Sequence, residues 1–243
     1  DSNSNFDVII ENCMFTGFSS IKFGGAIHII NVRARFQIAN VIFENNVATN
    51  GGGISIDSSN GIVLSSIECK NNHAKQNGGC ISVTSNVEGG VPSSVVVNNL
   101  DSMNDFSERR GGAIYVGRSS VLTMTDSTLK NAVGAGAIYA SSAKVTLSNI
   151  SVIDSTCLPI DSAAVMCVSS SLKMTDGSKI SGTKGRGLKG NGCSLTVQDV
   201  HFVSNRGGIL LVSESELTIA SSTFELNTAD GDGGAIMCNE CIK

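Results

Sequence analysis

The chain has 243 residues, 41% of them hydrophobic, which is enough for one sizeable core. Only 16% are charged and the net charge is -4, which excludes a broad electrostatic grip on nucleic acid. Glycine reaches 27 residues while Pro falls to 2 and Trp to none, a profile that excludes collagen, coiled coil and disorder. No apolar run approaches the roughly 18 residues of a membrane span. The opening Asp1-Ser2-Asn3 has neither a Met nor a signal-peptide pattern, so a mature portion or an excised segment is expected.

The first predicted strand carries Val8 and Ile10. The same apolar pair returns down the chain as Phe36/Ile38, Ile62/Leu64, Val95/Val97, Leu122/Met124, Val145/Leu147, Leu172/Met174, Leu195/Val197 and Leu217/Ile219. Two apolar positions two residues apart share one face of a strand, so these pairs mark an inward face repeated in nine blocks. The residue between them (Ile9, Gln37, Val63, Val96, Thr123, Thr146, Lys173, Thr196, Thr218) points outward. Its interrupted threonine array is explained by strand propensity, and ice binding is set aside. Two residues past each pair comes Asn12, Asn40, Ser66, Asn99, Asp126, Asn149, Asp176, Asp199 or Ser221. Such residues tolerate unusual backbone angles and predict a bend, along which stacked amides can hydrogen-bond.

Next comes an aromatic or apolar column (Phe15, Phe43, Cys69, Leu129, Val152, Phe202, Phe224), in places within the phrase Phe-x-x-Asn, as in Phe43-Glu44-Asn45-Asn46. It is expected to stack inside. A glycine phrase follows: Gly24-Gly25-Ala26-Ile27, Gly52-Gly53-Ile54, Gly78-Gly79-Cys80-Ile81, Gly111-Gly112-Ala113-Ile114, Gly136-Ala137-Ile138, Ala163-Ala164-Val165-Met166, Gly185-Arg186-Gly187-Leu188, Gly207-Gly208-Ile209-Leu210 and Gly233-Gly234-Ala235-Ile236. After it a second strand is predicted, with inward pairs Ile27/Ile29, Ile54/Ile56, Ile81/Val83, Ile114/Val116, Ile138/Ala140, Met166/Val168 and Leu210/Val212.

Successive blocks are 22 to 33 residues long, which suits three short strands and three turns. The predicted fold is all-β: a right-handed, single-stranded parallel β-helix (β-solenoid) of about nine coils, forming one domain over residues 1–243. At about 4.8 Å per coil the rod would be roughly 43 Å long. No polar cap is evident at either end, so the rod is expected to continue in a longer protein or to stack end to end as an uncapped fibre subunit.

In its Gly-Gly-Ala-Ile and Phe-x-x-Asn phrases the sequence resembles the polymorphic outer membrane protein family, the repeat-bearing passenger segments of bacterial surface autotransporters. The resemblance implies a cell-surface or extracellular protein acting as an adhesin or structural spacer, without catalysis and without a cofactor. Its partners would be surface glycans or proteins, with neither nucleic acid nor a membrane span in this segment. A self-assembling fibre is the first alternative. A pectin-lyase-like polysaccharide-cleaving enzyme is the second, because that scaffold is similar too.

Catalysis of that kind needs carboxylates across a sugar bond. Asp126, Asp176 and Asp199 come closest, but their column mates are Asn and Ser, which reads as a turn. No His stands in a Gly-His-Gly setting. Asp230-Gly231-Asp232-Gly233 reads as a tight turn, and Cys238-Asn239-Glu240-Cys241 has no second pair to complete a zinc site, so no metal is expected. The eight cysteines fit an oxidising compartment, with Cys157–Cys167 the expected bridge and Cys69 and Cys238 facing inward as small apolar residues. Asn149-Ile150-Ser151 is a glycosylation sequon in the bend column.

Two groups of residues are candidate contacts. Glu108, Arg109 and Arg110 end the longest insertion, which spans Ser85–Ser94 and Asp101–Arg110. Lys173, Lys179, Lys184, Arg186 and Lys189 bring five positive charges into two consecutive coils, where an acidic glycan or a phosphate-bearing surface could be held.

Overall fold

The computed structural model describes residues 8–85, 91–159, 162–231 and 233–239. Every strand pairing among them is parallel and joins one coil to the next. Three sheets run along the rod: a long sheet of thirteen strands, a nine-stranded sheet and a short five-stranded sheet, counted over the described residues. The register of the long sheet matches the apolar columns residue for residue, from Val8 opposite Phe36 to Leu195 opposite Leu217. Its central members, including Ile38, Leu64, Leu122 and Leu147, are fully buried. Each coil alone offers only a few such side chains, and stacking converts them into a continuous core.

The chain turns corners by left-handed residues. All nine members of the predicted bend column have φ between 49° and 59°. A second column with the same geometry comprises Asn45, Asn71, Asn104, Asn131, Asp154, Ser204 and Leu226. Asn, Asp and Ser enter this region at the lowest cost among residues with a side chain. At the glycine phrase the demand is stricter. Gly51 has φ 65°, and a Cβ on the next residue, Gly52, would collide with the Gly79 carbonyl oxygen of the adjacent coil.

Inside, the phenyl column forms two stacks: Phe15 on Phe43 with centroids 5.4 Å apart, and Phe202 on Phe224 at 4.9 Å. The last residue of Phe-x-x-Asn builds a buried polar ladder. Asn46 Nδ2 donates to Asn72 Oδ1 (3.0 Å), and Asn72 Nδ2 donates to Asp105 Oδ1 (2.9 Å). Higher up, Thr183 Oγ1 and Asn205 Nδ2 donate to Asn205 Oδ1 (2.9 Å) and Asn227 Oδ1 (3.0 Å) respectively. Between these runs the position holds Ala132 and Ser155, and the buried Ser155 hydroxyl has no partner. The expected ladder on the outer bend column is only piecewise, with Asn40 to Asn12 at 3.4 Å and Asn149 to Asp126 at 2.7 Å.

Three sequence expectations need correction. In two coils the second strand is shifted by one residue: Val165 and Cys167, not Met166 and Val168, lie in register with Ile138 and Ala140. Likewise Ile209 and Leu211, not Leu210 and Val212, follow Leu188 and Gly190. A slip of one residue exchanges the faces of a strand, and here both faces carry apolar side chains, so pattern alone does not fix the phase. The third correction concerns the disulfide. Cys157 and Cys167 are not bridged, because one lies on the short sheet and the other on the nine-stranded sheet. Cys167, in register with Gly190 of the next coil, joins Cys193 three residues further on (Cα–Cα 6.3 Å). Cys69 joins Cys80 across the interior (Cα–Cα 6.0 Å).

Candidate functional site

The sequence candidates separate in space. Lys173 and Lys179 project from the long sheet, Lys184 lies beyond the second bend, and Arg186 and Lys189 belong to the nine-stranded sheet. A coil wraps around the rod, so charges adjacent in sequence face different directions. Arg186 Nη2 lies 3.6 Å from Met237 Sδ, and its Nη1 is buried without a partner. Asp126, Asp176 and Asp199 stand in single file as left-handed turn residues. Hydrogen bonds from Ser148 and Thr175 hold the Asp176 carboxylate below its ordinary range. Asn149 is exposed, with its amide nitrogen donated to Asp126.

The phrase Glu108-Arg109-Arg110 divides as well. Glu108 meets His73 Nε2 at 3.1 Å, and Arg109 is exposed beside it. Arg110 turns the other way, towards the nine-stranded sheet, where its guanidinium sits 5.5 Å from the centroid of Tyr139. Burial raises the Tyr139 phenol above its ordinary pKa against the opposing influence of Arg110, which keeps the ring neutral beneath the cation. Asp230 pairs with Arg206. Residues 86–90, Asp232, Glu240 and Cys241 lie outside the described residues; Cys238 is disulfide-bonded.

Arg110 borders a groove of about 440 Å³ on the outer face of the nine-stranded sheet. One wall is a column in which Phe23, Asn50, Asn77 and Arg110 follow one another in successive coils. Asn77 Nδ2 donates to Asn50 Oδ1 at 2.7 Å, so Asn77 Oδ1 and Asn50 Nδ2 remain open. Ser82 and Tyr115 form the floor, because outward positions of this sheet lie in register there. The Tyr115 ring lies along its own strand, over Gly117, where a Cβ would strike the phenol. Ser82 is 1% exposed and its hydroxyl has no hydrogen-bond partner.

The far wall holds Thr84 and Arg118. Arg118 occupies a left-handed turn (φ 52°) where other coils place Asn31, Ser58, Ser142, Ser169, Gly192 and Ser213. An arginine in that conformation is uncommon, and such positions concentrate where function requires them. Neither Arg110 nor Arg118 has a carboxylate partner among the described residues. Of this set only Arg110 was a candidate from sequence. The signal that would have found Arg118 is its departure from a column of turn formers.

Comparison with known families supports the architecture. A family model described as the right-handed beta helix region matches residues 93–240, more than half of the chain. The chain belongs to the right-handed β-helix family. A second model, the Chlamydia polymorphic membrane protein repeat, matches residues 40–57 of this β-helix, from the bend at Asn40 through Phe43-Glu44-Asn45-Asn46 to the glycine phrase. In that repeat the β-helix is similar to a family of bacterial surface proteins. No curated protein and no solved structure matches it. No helix of the described residues is long and apolar enough to cross a membrane.

Proposed function

We propose that this β-helix is a non-catalytic extracellular surface rod, an adhesin or spacer, that engages its partner along the groove on the nine-stranded sheet. The observation that carries this reading is the groove lining: two arginines without carboxylate partners among the described residues, open amide groups and an unpartnered buried hydroxyl. Such groups hold a polar partner by hydrogen bonds and charge. The described lining residues include no carboxylate, whereas glycoside hydrolysis uses a pair. Surface placement is supported by the repeat at residues 40–57.

The test is to immobilise the purified chain and measure capture of cell-surface polysaccharides and proteins, beside an assay for newly released reducing or unsaturated ends. Capture that Arg110→Gln and Arg118→Ser together abolish supports the proposal. Release of chain ends, lost in Asp126→Asn, Asp176→Asn or Asp199→Asn, would replace it with the polysaccharide-cleaving alternative.

A further inference from the structure

We propose that the groove binds an anionic polysaccharide, with Arg110 and Arg118 taking its carboxylate or sulfate groups and Asn50, Asn77 and Ser82 taking its hydroxyls. This rests on the preceding reading of the groove and adds the chemical class of the partner.

Charge is the first ground. The chain carries a net charge of -4, yet the described groove residues include two cations and no anion. Among the described residues neither guanidinium has an ion-pair partner. A neutral glycan would leave both without a counter-charge, while carboxylate and sulfate match their planar, forked donors. The stacking of Arg110 on Tyr139 limits its motion, so less freedom is lost when it closes on an anion.

Ser82 is the second ground. A buried hydroxyl without a partner is costly, and this one lines the groove, where a ligand hydroxyl can complete it. Asn50 Nδ2 and Asn77 Oδ1 add one open donor and one open acceptor on the adjacent wall. A sugar hydroxyl is donor and acceptor at once, so neighbouring hydroxyls of a polyhydroxylated chain can donate to Asn77 Oδ1 and accept from Asn50 Nδ2.

Extent is the third. The wall from Phe23 to Arg110 crosses four coils, which at the strand spacing is about 14 Å. That length takes several linked rings of a polymer. The partly exposed Phe23 at one end offers an apolar face to the last of them.

Binding to four probes decides the matter: polygalacturonate for carboxylates, heparin for sulfates, dextran as a neutral glycan, and poly-glutamate as an anion without sugar rings. Biolayer interferometry with the full chain at low and high salt should show one or both acidic polysaccharides bound, weakened by salt, and preferred over dextran and poly-glutamate. Arg110→Gln and Arg118→Ser should each weaken binding about tenfold and flatten its salt dependence. Lys184→Gln, elsewhere on the coil, should change neither. Arg118→Ser installs the residue found at equivalent turns, and a retained β circular dichroism spectrum separates lost binding from lost folding. Dextran bound as tightly as the acidic polymers, or arginine variants bound unchanged, would overturn the anionic assignment and leave the groove as a contact surface. Poly-glutamate bound as tightly would overturn the carbohydrate assignment. Failure to bind any of the four, while the groove variants still lose capture of a surface protein, would overturn this inference alone. No capture of any probe or surface partner by the unaltered chain would overturn both readings.

Discussion

Arg118 and Ser142 occupy the same turn in adjacent coils, with the same left-handed φ of 52°. The backbone makes one demand at both places, and the other coils meet it with Asn, Ser or Gly, residues that favour turns. The arginine is therefore explained by what its side chain reaches and not by the turn.

Replacing Arg118 by Gly should raise stability by up to about 1 kcal/mol, since glycine adopts this conformation without strain. Urea denaturation measures the change. A clear loss of stability would mean that the Arg118 side chain holds the turn and is not there for a ligand.

Gly79→Ala should destabilise the chain by about 2–3 kcal/mol, because the added Cβ meets the Gly112 carbonyl oxygen and the Phe106 backbone of the next coil, neither of which can yield. Gly177→Ala probes a different cost. Its Cβ would have nothing within 4 Å, so only the left-handed φ of 71° opposes the change. The midpoint for Gly79→Ala should fall well below that for Gly177→Ala.

Burial raises the Asp105 carboxyl to a pKa of about 7, against the hydrogen bonds from Ser102 and Asn72 that favour its charged form. The ordinary value is 3.8, so between about pH 4 and pH 7 the folded chain holds a proton that the unfolded chain has released. Stability therefore falls as pH rises through that window and is level above it. Asp105→Asn should remove this slope and raise stability at alkaline pH by about 2–4 kcal/mol. Asparagine fills the same ladder position in Asn46, Asn72, Asn205 and Asn227. Urea midpoints across the pH range measure both effects.

The two free cysteines among the described residues should behave oppositely. Cys13 is exposed, whereas Cys157 is buried and its thiol is pushed up to about 12 by desolvation. Iodoacetamide under native conditions should label Cys13 and spare Cys157, which should react only after unfolding. Replacing Cys167 and Cys193 together by Ala should cost about 3.5 kcal/mol, the loop-closure value for a separation of 26 residues.

The long sheet was legible because its inward pairs alternate with polar neighbours, as in Leu122-Thr123-Met124, and because a bend such as Asn40 needs a residue of restricted type. The nine-stranded sheet was less so. Met166 and Leu210 are 8% and 9% exposed although they face outward, and an apolar residue on either face erases the alternation that sets phase. The groove was nearly invisible, since Phe23, Ser82 and Arg118 come from different coils and each is ordinary in its own stretch of chain. Only the winding brings them together, and the same winding disperses Lys179, Lys184 and Lys189.

The interrupted interior ladder gives the rod a seam. One polar run ends at Asp105, another begins at Thr183, and between them Ala132 and Ser155 contribute no side-chain link along the axis. In a stacked protein, cohesion is set by each contact between neighbours, so the least adhesive pair fixes where the whole parts. Across the seam that cohesion comes from the main-chain pairing of Val121–Lys130 with Lys144–Ile153 and from apolar contact, so the middle of the rod holds together without the amides that reinforce either side of it.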